Sequence, residues 1–263
     1  MSVKKILTPG SLDEAYKILQ SDKKSIIVAG NTWLQYMASQ ENLVLVDIKN
    51  LDLDYVHSTT FTIQVGSGTS LAELENCDLL NAFNNSIFTK SLKDCRTPEF
   101  RQKATVGGNL ALKYGYSDLI TALLVTDPMV LFYGYEKEAL EDIHNEHLSY
   151  IPLEDYLKIE NIRDIMTELV IPKTMNSNFV CKRSPENGRT LLNVAVARYG
   201  SQLRVAIGAR PYVAKLWRGN DKTPLTEIVD SFDFGDDEMV TAEERKDLAM
   251  ELILEAYKEI DFR

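Results

Sequence analysis

Several features are scarce or missing in this chain of 263 residues. No apolar run approaches the roughly 20 residues that a membrane-spanning helix needs, so no membrane span is expected. Cysteine is sparse. Cys77, Cys95 and Cys181 stand far apart and none forms a C-x-x-C pair, which removes the usual thiolate frameworks for zinc or an iron–sulfur cluster. Three widely spaced thiols also fit a reducing compartment. Basic charge is in deficit: 29 Lys and Arg stand against 39 Asp and Glu, a net charge of −10 at pH 7. That balance argues against DNA or RNA as the main partner, because polyanion binding rests on Lys and Arg neutralising phosphates. The N-terminus runs straight into Ile6-Leu7-Thr8-Pro9 without the apolar centre of a signal peptide, so a cytoplasmic location is expected. There is no internal repeat and no low-complexity tract. What is present is apolar residues, 44% of the chain. That is enough for one large domain or two modest ones, and too much for wholesale disorder.

Two glycine stretches organise the rest. The first is Val28-Ala29-Gly30-Asn31-Thr32-Trp33-Leu34 and the second is Ala104-Thr105-Val106-Gly107-Gly108-Asn109-Leu110. Side chains are missing where backbone is expected to approach something closely. Bare amides in such turns form concave anion sites, and the first turn also closes a strand and opens a helix, which adds a helix N-terminus. Two separated cradles imply a ligand with two linked phosphates.

Taken in order, Ser11 and Glu14 read as a capping box before a helix carrying Leu12, Ala15, Tyr16 and Leu19. Residues 25–29 read as a buried strand, a helix follows through Leu34 and Met37, and 43–48 read as a second strand, a compact α/β unit. Residues 61–65 alternate, and Thr69 or Ser70 caps the next helix, with Glu73 supporting that assignment. Ser117-Asp118 opens an apolar helix over 119–125, and 129–133 read as a strand. Residues 136–147 are polar and acidic and read as a surface excursion. His144 and His147 there have H-x-x-H spacing, but a loop needs further placed ligands before it holds a metal. From residue 165 the pattern changes. Strands are expected over 165–171, 178–182, 191–198 and 203–209, joined by turns at Asn187-Gly188 and Tyr199-Gly200-Ser201, as one antiparallel sheet. A last helix covers 243–260. The domain boundary falls near Pro172 to Asn176.

These stretches, in this order, resemble the FAD-binding (medium) subunit of the molybdenum hydroxylases, the family of the xanthine dehydrogenase and carbon monoxide dehydrogenase medium subunits. The family's A-G-G-T-[DE]-L-like turn is matched by Ala29-Gly30-Asn31-Thr32-Trp33-Leu34, and its T-[IV]-G-G-N stretch by Thr105-Val106-Gly107-Gly108-Asn109. Its Ser-Asp pair, about nine residues beyond the Asn, is matched by Ser117-Asp118. The run from Val65 through Gly66-Ser67-Gly68-Thr69-Ser70 to Leu74 is similar to I-G-A-x-x-[TS]-L-x-x-L. The stretches Glu168 to Pro172 and Phe179 to Arg183 are similar to later strands of the family.

The resemblance implies an α+β fold. A two-subdomain α/β FAD-binding domain covers 1–173, with subdomains about 1–55 and 56–173. A small C-terminal domain with antiparallel sheet and helix covers 174–263. It implies FAD between the two subdomains. The backbone of Val28, Ala29, Gly30, Asn31, Thr32, Trp33 and Leu34 and of Gly107, Gly108 and Asn109 would hold the pyrophosphate, and Thr32, Thr105 and Asn109 would add side-chain hydrogen bonds. Asp118 would accept from a ribityl or ribose hydroxyl, although capping a helix is the default role of an Asp so placed. Lys182 would sit near the pyrimidine edge of the flavin, although a strand Lys is often simply solvated. Partners would be a molybdopterin-binding subunit and a [2Fe–2S] subunit, with NAD or another electron acceptor. No acid–base catalytic residue is assigned. The chain departs from the family pattern at Asn31, where Gly is commoner, and at Trp33, where an acidic residue is. Cys95-Arg96-Thr97-Pro98 replaces an upstream aromatic. The compact C-terminal part resembles the subunits grouped with purine hydroxylases. Two other readings stay open: an FAD-dependent oxidase or reductase with the same type of domain, and a scaffold that has lost its flavin.

Overall fold

Five of the early helices start where a hydroxyl can take an orphan amide. The computed structural model describes residues 2–34, 41–82, 84–134, 148–160, 162–173 and 176–260. The expected helix beyond Leu34 through Met37, and the stretch 136–147 with His144 and His147, lie outside the described residues. Strand β1 (Val3–Leu7) leads to α1 (Leu12–Ser21). Ser11 Oγ accepts from the Glu14 amide at 3.2 Å, but the Glu14 carboxylate takes the amide of Gly10 at 2.8 Å. The expected box is therefore offset by one residue on its return arm. Strands β2 (Ser25–Val28) and β3 (Leu43–Asp47) run parallel, and β1 lies on the other side of β3. This three-stranded sheet is the expected α/β unit with β1 added at its edge.

Strands β4 (Val56–Ser58) and β5 (Thr62–Gly66) form a hairpin. Ser70 then caps α2 (Leu71–Glu75) in a complete capping box with Glu73. Helices α3 (Asp78–Asn81), α4 (Ile87–Leu92), α5 (Pro98–Lys103), α6 (Val106–Leu112) and α7 (Asp118–Leu124) follow. Thr97, Thr105 and Ser117 cap the last three, with Pro98 in the first turn of α5. Next come β6 (Met129–Tyr133), β7 (Leu148–Pro152), α8 (Leu153–Lys158) and β8 (Ile165–Pro172). An antiparallel five-stranded sheet has the order β4-β5-β8-β6-β7. Its core, with Ile63, Val65, Leu169 and Ile171, is filled from the helix side by Leu71, Phe88, Leu110 and Leu123.

The remaining strands are β9 (Asn176–Arg183), β10 (Thr190–Tyr199), β11 (Gln202–Gly208) and β12 (Lys215–Asn220), followed by α9 (Leu225–Asp230) and α10 (Ala242–Ile260). They form an antiparallel sheet ordered β12-β11-β10-β9. Residues 165–171 are therefore corrected to the five-stranded sheet, and β12 is the fourth strand here. The two faces of this sheet differ in size. Leu192, Val194, Val196, Val205 and Ile207 point to the α10 side, while Ala195, Ala197 and Ala206 join the cluster containing α4 and α7. Small side chains let those helices approach, and burial on both faces explains the near-continuous apolar run of β10. The fold is α+β with antiparallel sheets, as expected.

Candidate functional site

Strand β2 ends against a close backbone approach. A Cβ at Gly30 would stand 1.9 Å from the carbonyl oxygen of Lys103, the last residue of α5. The glycine is therefore needed for packing the turn on α5. Asn31 follows with φ of +55°, a left-handed conformation that Asn tolerates better than most residues. The amides of Gly30, Asn31 and Thr32 donate to no acceptor among the described residues, so this turn presents the bare N–H groups expected of an anion cradle.

The second stretch behaves differently. It is not a loop but the first turn of α6. The amide of Val106 donates to Thr69 O at 2.9 Å, Gly107 to Ser67 O at 2.8 Å and Asn109 to Thr105 O at 2.9 Å. Gly108 donates to the N-cap hydroxyl of Thr105 at 3.1 Å. These amides are taken, which corrects the expectation that they are bare. Gly107 is required because a Cβ there would lie 2.8 Å from that of Ser67. Gly108 is open: within 4 Å its Cβ would meet only Thr105 Oγ1, at 3.1 Å. What the stretch offers a ligand is the missing side chain of Gly108 and the hydroxyl proton of Thr105, which is not used in accepting from the Gly108 amide.

Between the two stretches lie two cavities, of about 560 and 410 Å³. Both are lined by Ile27, Ala29, Thr105, Gly108, Ala111, Ile162 and Asp164, so they form one crevice with two ends. The smaller end brings together Val28, Ala29, Gly30, Asn31, Thr32, Trp33, Leu34, Thr105, Gly108 and Asn109, and adds Phe100 and Leu112. Trp33 packs on Tyr114, with ring centroids 5.4 Å apart. The larger end is lined by Gly107 and by Ile48, Phe132, Tyr156, Ile159 and Met166, with Ser67, Lys113 and Glu160 among its polar groups. Lys113 Nζ donates to the carbonyls of Tyr156, at 2.7 Å, and of Ile159, and lies 4.2 Å from the Tyr156 ring centroid. Burial lowers its ammonium below the ordinary range. A pocket of this size, largely apolar with a few polar groups, suits a cofactor.

Asp118 and Lys182 line neither end. Ser117, not Asp118, caps α7, and its hydroxyl also donates to Asn109 Oδ1 at 2.8 Å. Asp118 is buried and held across to the C-terminal sheet by Arg183 and Asn193, each at 2.5 Å, with Thr190 beside it. Burial pushes its carboxyl up, and Arg183 and Asn193 oppose that shift. Lys182 is exposed. By strand alternation it lies on the face of β9 opposite Cys181 and Arg183. The basic residue that reaches the N-terminal part is thus Arg183. The period-two pattern of β9 carries that signal.

Ser67 was read only as part of a turn, and Asp164 was not singled out. Ser67 Oγ is the one buried side-chain polar atom without a partner among the described residues, and it faces the larger end. An orphaned hydroxyl, an open position at Gly108 and a free-amide turn opposite are what a phosphate-bearing dinucleotide such as FAD needs. The residues present fit that cofactor. Cys95 lines neither end, and burial pushes its thiol up to about 11, so Cys95 offers no reactive thiolate for a covalent flavin link.

The family profile described as "FAD binding domain in molybdopterin dehydrogenase" matches residues 2–174. The chain is 25% identical over 179 residues to the nicotinate dehydrogenase FAD-subunit of Eubacterium barkeri; the match spans 63% of this chain and 57% of that relative. Its fold is that of a chain of reconstituted CO dehydrogenase from Oligotropha carboxidovorans (TM-score 0.83, 16% identity, 99% of this chain and 98% of that one). It is equally similar to a chain of quinoline 2-oxidoreductase from Pseudomonas putida 86 (TM-score 0.80, 16% identity, 98% of each). With the family profile covering most of its length and the crevice built to suit the cofactor, the chain belongs to the FAD-binding subunits of the molybdenum hydroxylase family, oxidoreductase components whose cofactor is FAD.

Proposed function

We propose that this chain is the electron-transfer subunit of a multi-subunit molybdenum hydroxylase, taking electrons from a partner [2Fe–2S] subunit and passing them to NAD or another acceptor. Hydroxylation would occur on a partner molybdopterin-binding subunit, because this sequence has no iron–sulfur ligand pattern and, among the described residues, no cluster of metal-binding side chains. The observation that carries the reading is the crevice between the free-amide turn and the open face of Gly108.

The bound FAD supplies the chemistry, coupling two-electron and one-electron transfer. The chain's residues do the rest. The amides of Gly30 to Thr32 would take the pyrophosphate oxygens, Thr105 would donate its hydroxyl proton, and Trp33 with Tyr114 would form an aromatic wall at the smaller end. We assign Asp118 to fastening the C-terminal sheet on α7, while Ser117 beside it steadies Asn109. Lys182 is left as an exposed charge available to a partner. In this reading residues 1–173 would form the FAD-binding part and 174–263 the C-terminal part, a division supported by β8 and β9 lying in different sheets. Among the described residues no helix is long and apolar enough to cross a membrane, in keeping with a cytoplasmic enzyme.

The finer reading is a xanthine dehydrogenase-like assembly, which rests on the resemblance of the sequence stretches alone. The likeness to a nicotinate dehydrogenase FAD-subunit favours a second, a hydroxylase of a pyridine carboxylate. Purifying the chain from its source with its bound partners tests both. The proposal expects co-purified molybdopterin and [2Fe–2S] subunits, hydroxylation of a purine or of nicotinate by the complex, and none by this chain alone. Purine or nicotinate hydroxylation by the isolated chain overturns it. So does a purified chain without flavin absorbance that takes up none from added FAD.

A further inference from the structure

Two polar groups at the larger end of the crevice lack a partner among the described residues. Ser67 is 4% exposed, and its hydroxyl bonds nothing among the described residues. Asp164 is partly buried and makes no hydrogen bond or ion pair with any described residue. Burying polar groups unpaired is unfavourable, so such a pair marks a place where a ligand completes the bonding.

Asp164 is also held in place. Its neighbour Arg163 donates to the carbonyls of Lys23 at 3.1 Å and Asp22 at 2.9 Å, and the Gln20 amide donates to Arg163 O at 2.6 Å. The segment is thereby stapled to the end of α1 and the start of β2. Asp164 lines both ends of the crevice. Ser67 lies in the larger end only.

Resting on FAD binding in this crevice, we propose that Asp164 accepts both hydroxyls of the adenosine ribose and that Ser67 donates to the adenine, so that these two residues select FAD over FMN. The order of groups carries the assignment. Along the cofactor the ribose lies between the pyrophosphate and the adenine. In the crevice Asp164 is shared by the end that holds the free-amide turn and the larger, apolar end. A carboxylate only accepts hydrogen bonds, and a ribose diol offers two adjacent donors. A carboxylate that merely faced the pyrophosphate would repel it. The flat adenine fits the slot of Ile27, Ile48, Ile159, Ile162 and Met166, where one buried hydroxyl supplies a directed bond.

The test is binding of FAD, FMN, ADP and 2′-deoxy-ADP to the apoprotein and to Asp164→Ala and Ser67→Ala, with thermal melting of each apoprotein. For Asp164→Ala the expected result is FAD binding about thirtyfold weaker, as for one or two hydrogen bonds to a charged acceptor. FMN binding should stay within about twofold, since FMN lacks the adenosine half. Wild type should prefer ADP to 2′-deoxy-ADP by about tenfold, and Asp164→Ala should lose that preference. Ser67→Ala should weaken FAD about fivefold and yet raise the melting temperature of the apoprotein by about 3 °C, because an unpaired buried hydroxyl is gone. Tighter or unchanged FAD binding by Asp164→Ala overturns the inference. So does an equal loss for FAD and FMN. Wild-type apoprotein that binds no FAD at all contradicts the underlying functional reading instead.

Discussion

Gly30, Gly107 and Gly108 lack side chains for different reasons. Gly30 and Gly107 let backbone meet protein, at Lys103 and at Ser67, whereas Gly108 leaves room in the crevice. Gly30→Ala would force the turn off α5, because the carbonyl 1.9 Å from its Cβ is backbone and cannot swing aside. The expected cost is about 2 kcal/mol or more of stability, in the range of overpacked interiors, read by urea denaturation of the apoprotein. Gly108→Ala should cost less than half of that in the same experiment. The sequence made both stretches legible as places of close approach. It did not say what approaches, because Lys103 and Ser67 are brought in by tertiary packing. Likewise Asp118 is visible in sequence as a polar residue at a helix start, but its partners Arg183 and Asn193 are 65 and 75 positions away.

At the scale of elements, the start of α10 is anchored by a buried arginine. Arg245 is 0% exposed and gives its guanidinium protons to the carbonyls of Ala209, Gly235 and Val240 and to the carboxylate of Asp237. Arg245→Leu should destabilise the protein by roughly 3–5 kcal/mol, because the Asp237 carboxylate loses its buried cationic partner and the carbonyls of Ala209, Gly235 and Val240 each lose a donor; denaturant unfolding measures it. Burial alone would raise the carboxyl of Asp237, but the Tyr116 hydroxyl, the amides of Met239 and Val240, and Arg245 together hold it well below its ordinary value of 3.8. A carboxyl depressed in the folded state contributes stability above its unfolded value and loses it as pH falls through the folded one. Unfolding free energy should therefore decline below about pH 4, and Asp237→Asn should flatten that decline. If the two pH profiles run parallel there, the Asp237 network does not stabilise the fold. The helix itself was plain in the sequence. Strand β12 was not, since Gly219 and the charged Lys215 and Arg218 dilute its alternation and it is supported by pairing to β11. Strand β8 was legible as a strand but was assigned to the wrong sheet, because alternation names a face and not a neighbour.

At the scale of the whole molecule, FAD in the proposed crevice would join the three-stranded sheet, with its free-amide turn, to the five-stranded sheet and α6. A ligand that binds only the folded chain stabilises it by mass action, about 2.7 kcal/mol at a hundred times Kd. The melting temperature should rise by roughly 5–10 °C with saturating FAD. Acid precipitation should release all the flavin, and colour left in the pellet would show a covalent link. The most direct measurement of the central claim, that FAD lies between the two glycine stretches, is its dissociation constant for wild type, Gly108→Glu, Gly108→Ala and Leu254→Glu, followed by flavin fluorescence. Leu254 is 52% exposed on α10 and controls for added charge. A carboxylate about 4 Å from a phosphate costs about 4 kcal/mol at an effective dielectric near 20, roughly a thousandfold in affinity. Gly108→Glu should therefore bind about a thousandfold more weakly than wild type, Gly108→Ala within about tenfold of it, and Leu254→Glu like wild type. If folded Gly108→Glu binds FAD as tightly as Leu254→Glu, the cofactor does not pass this helix and the account is contradicted.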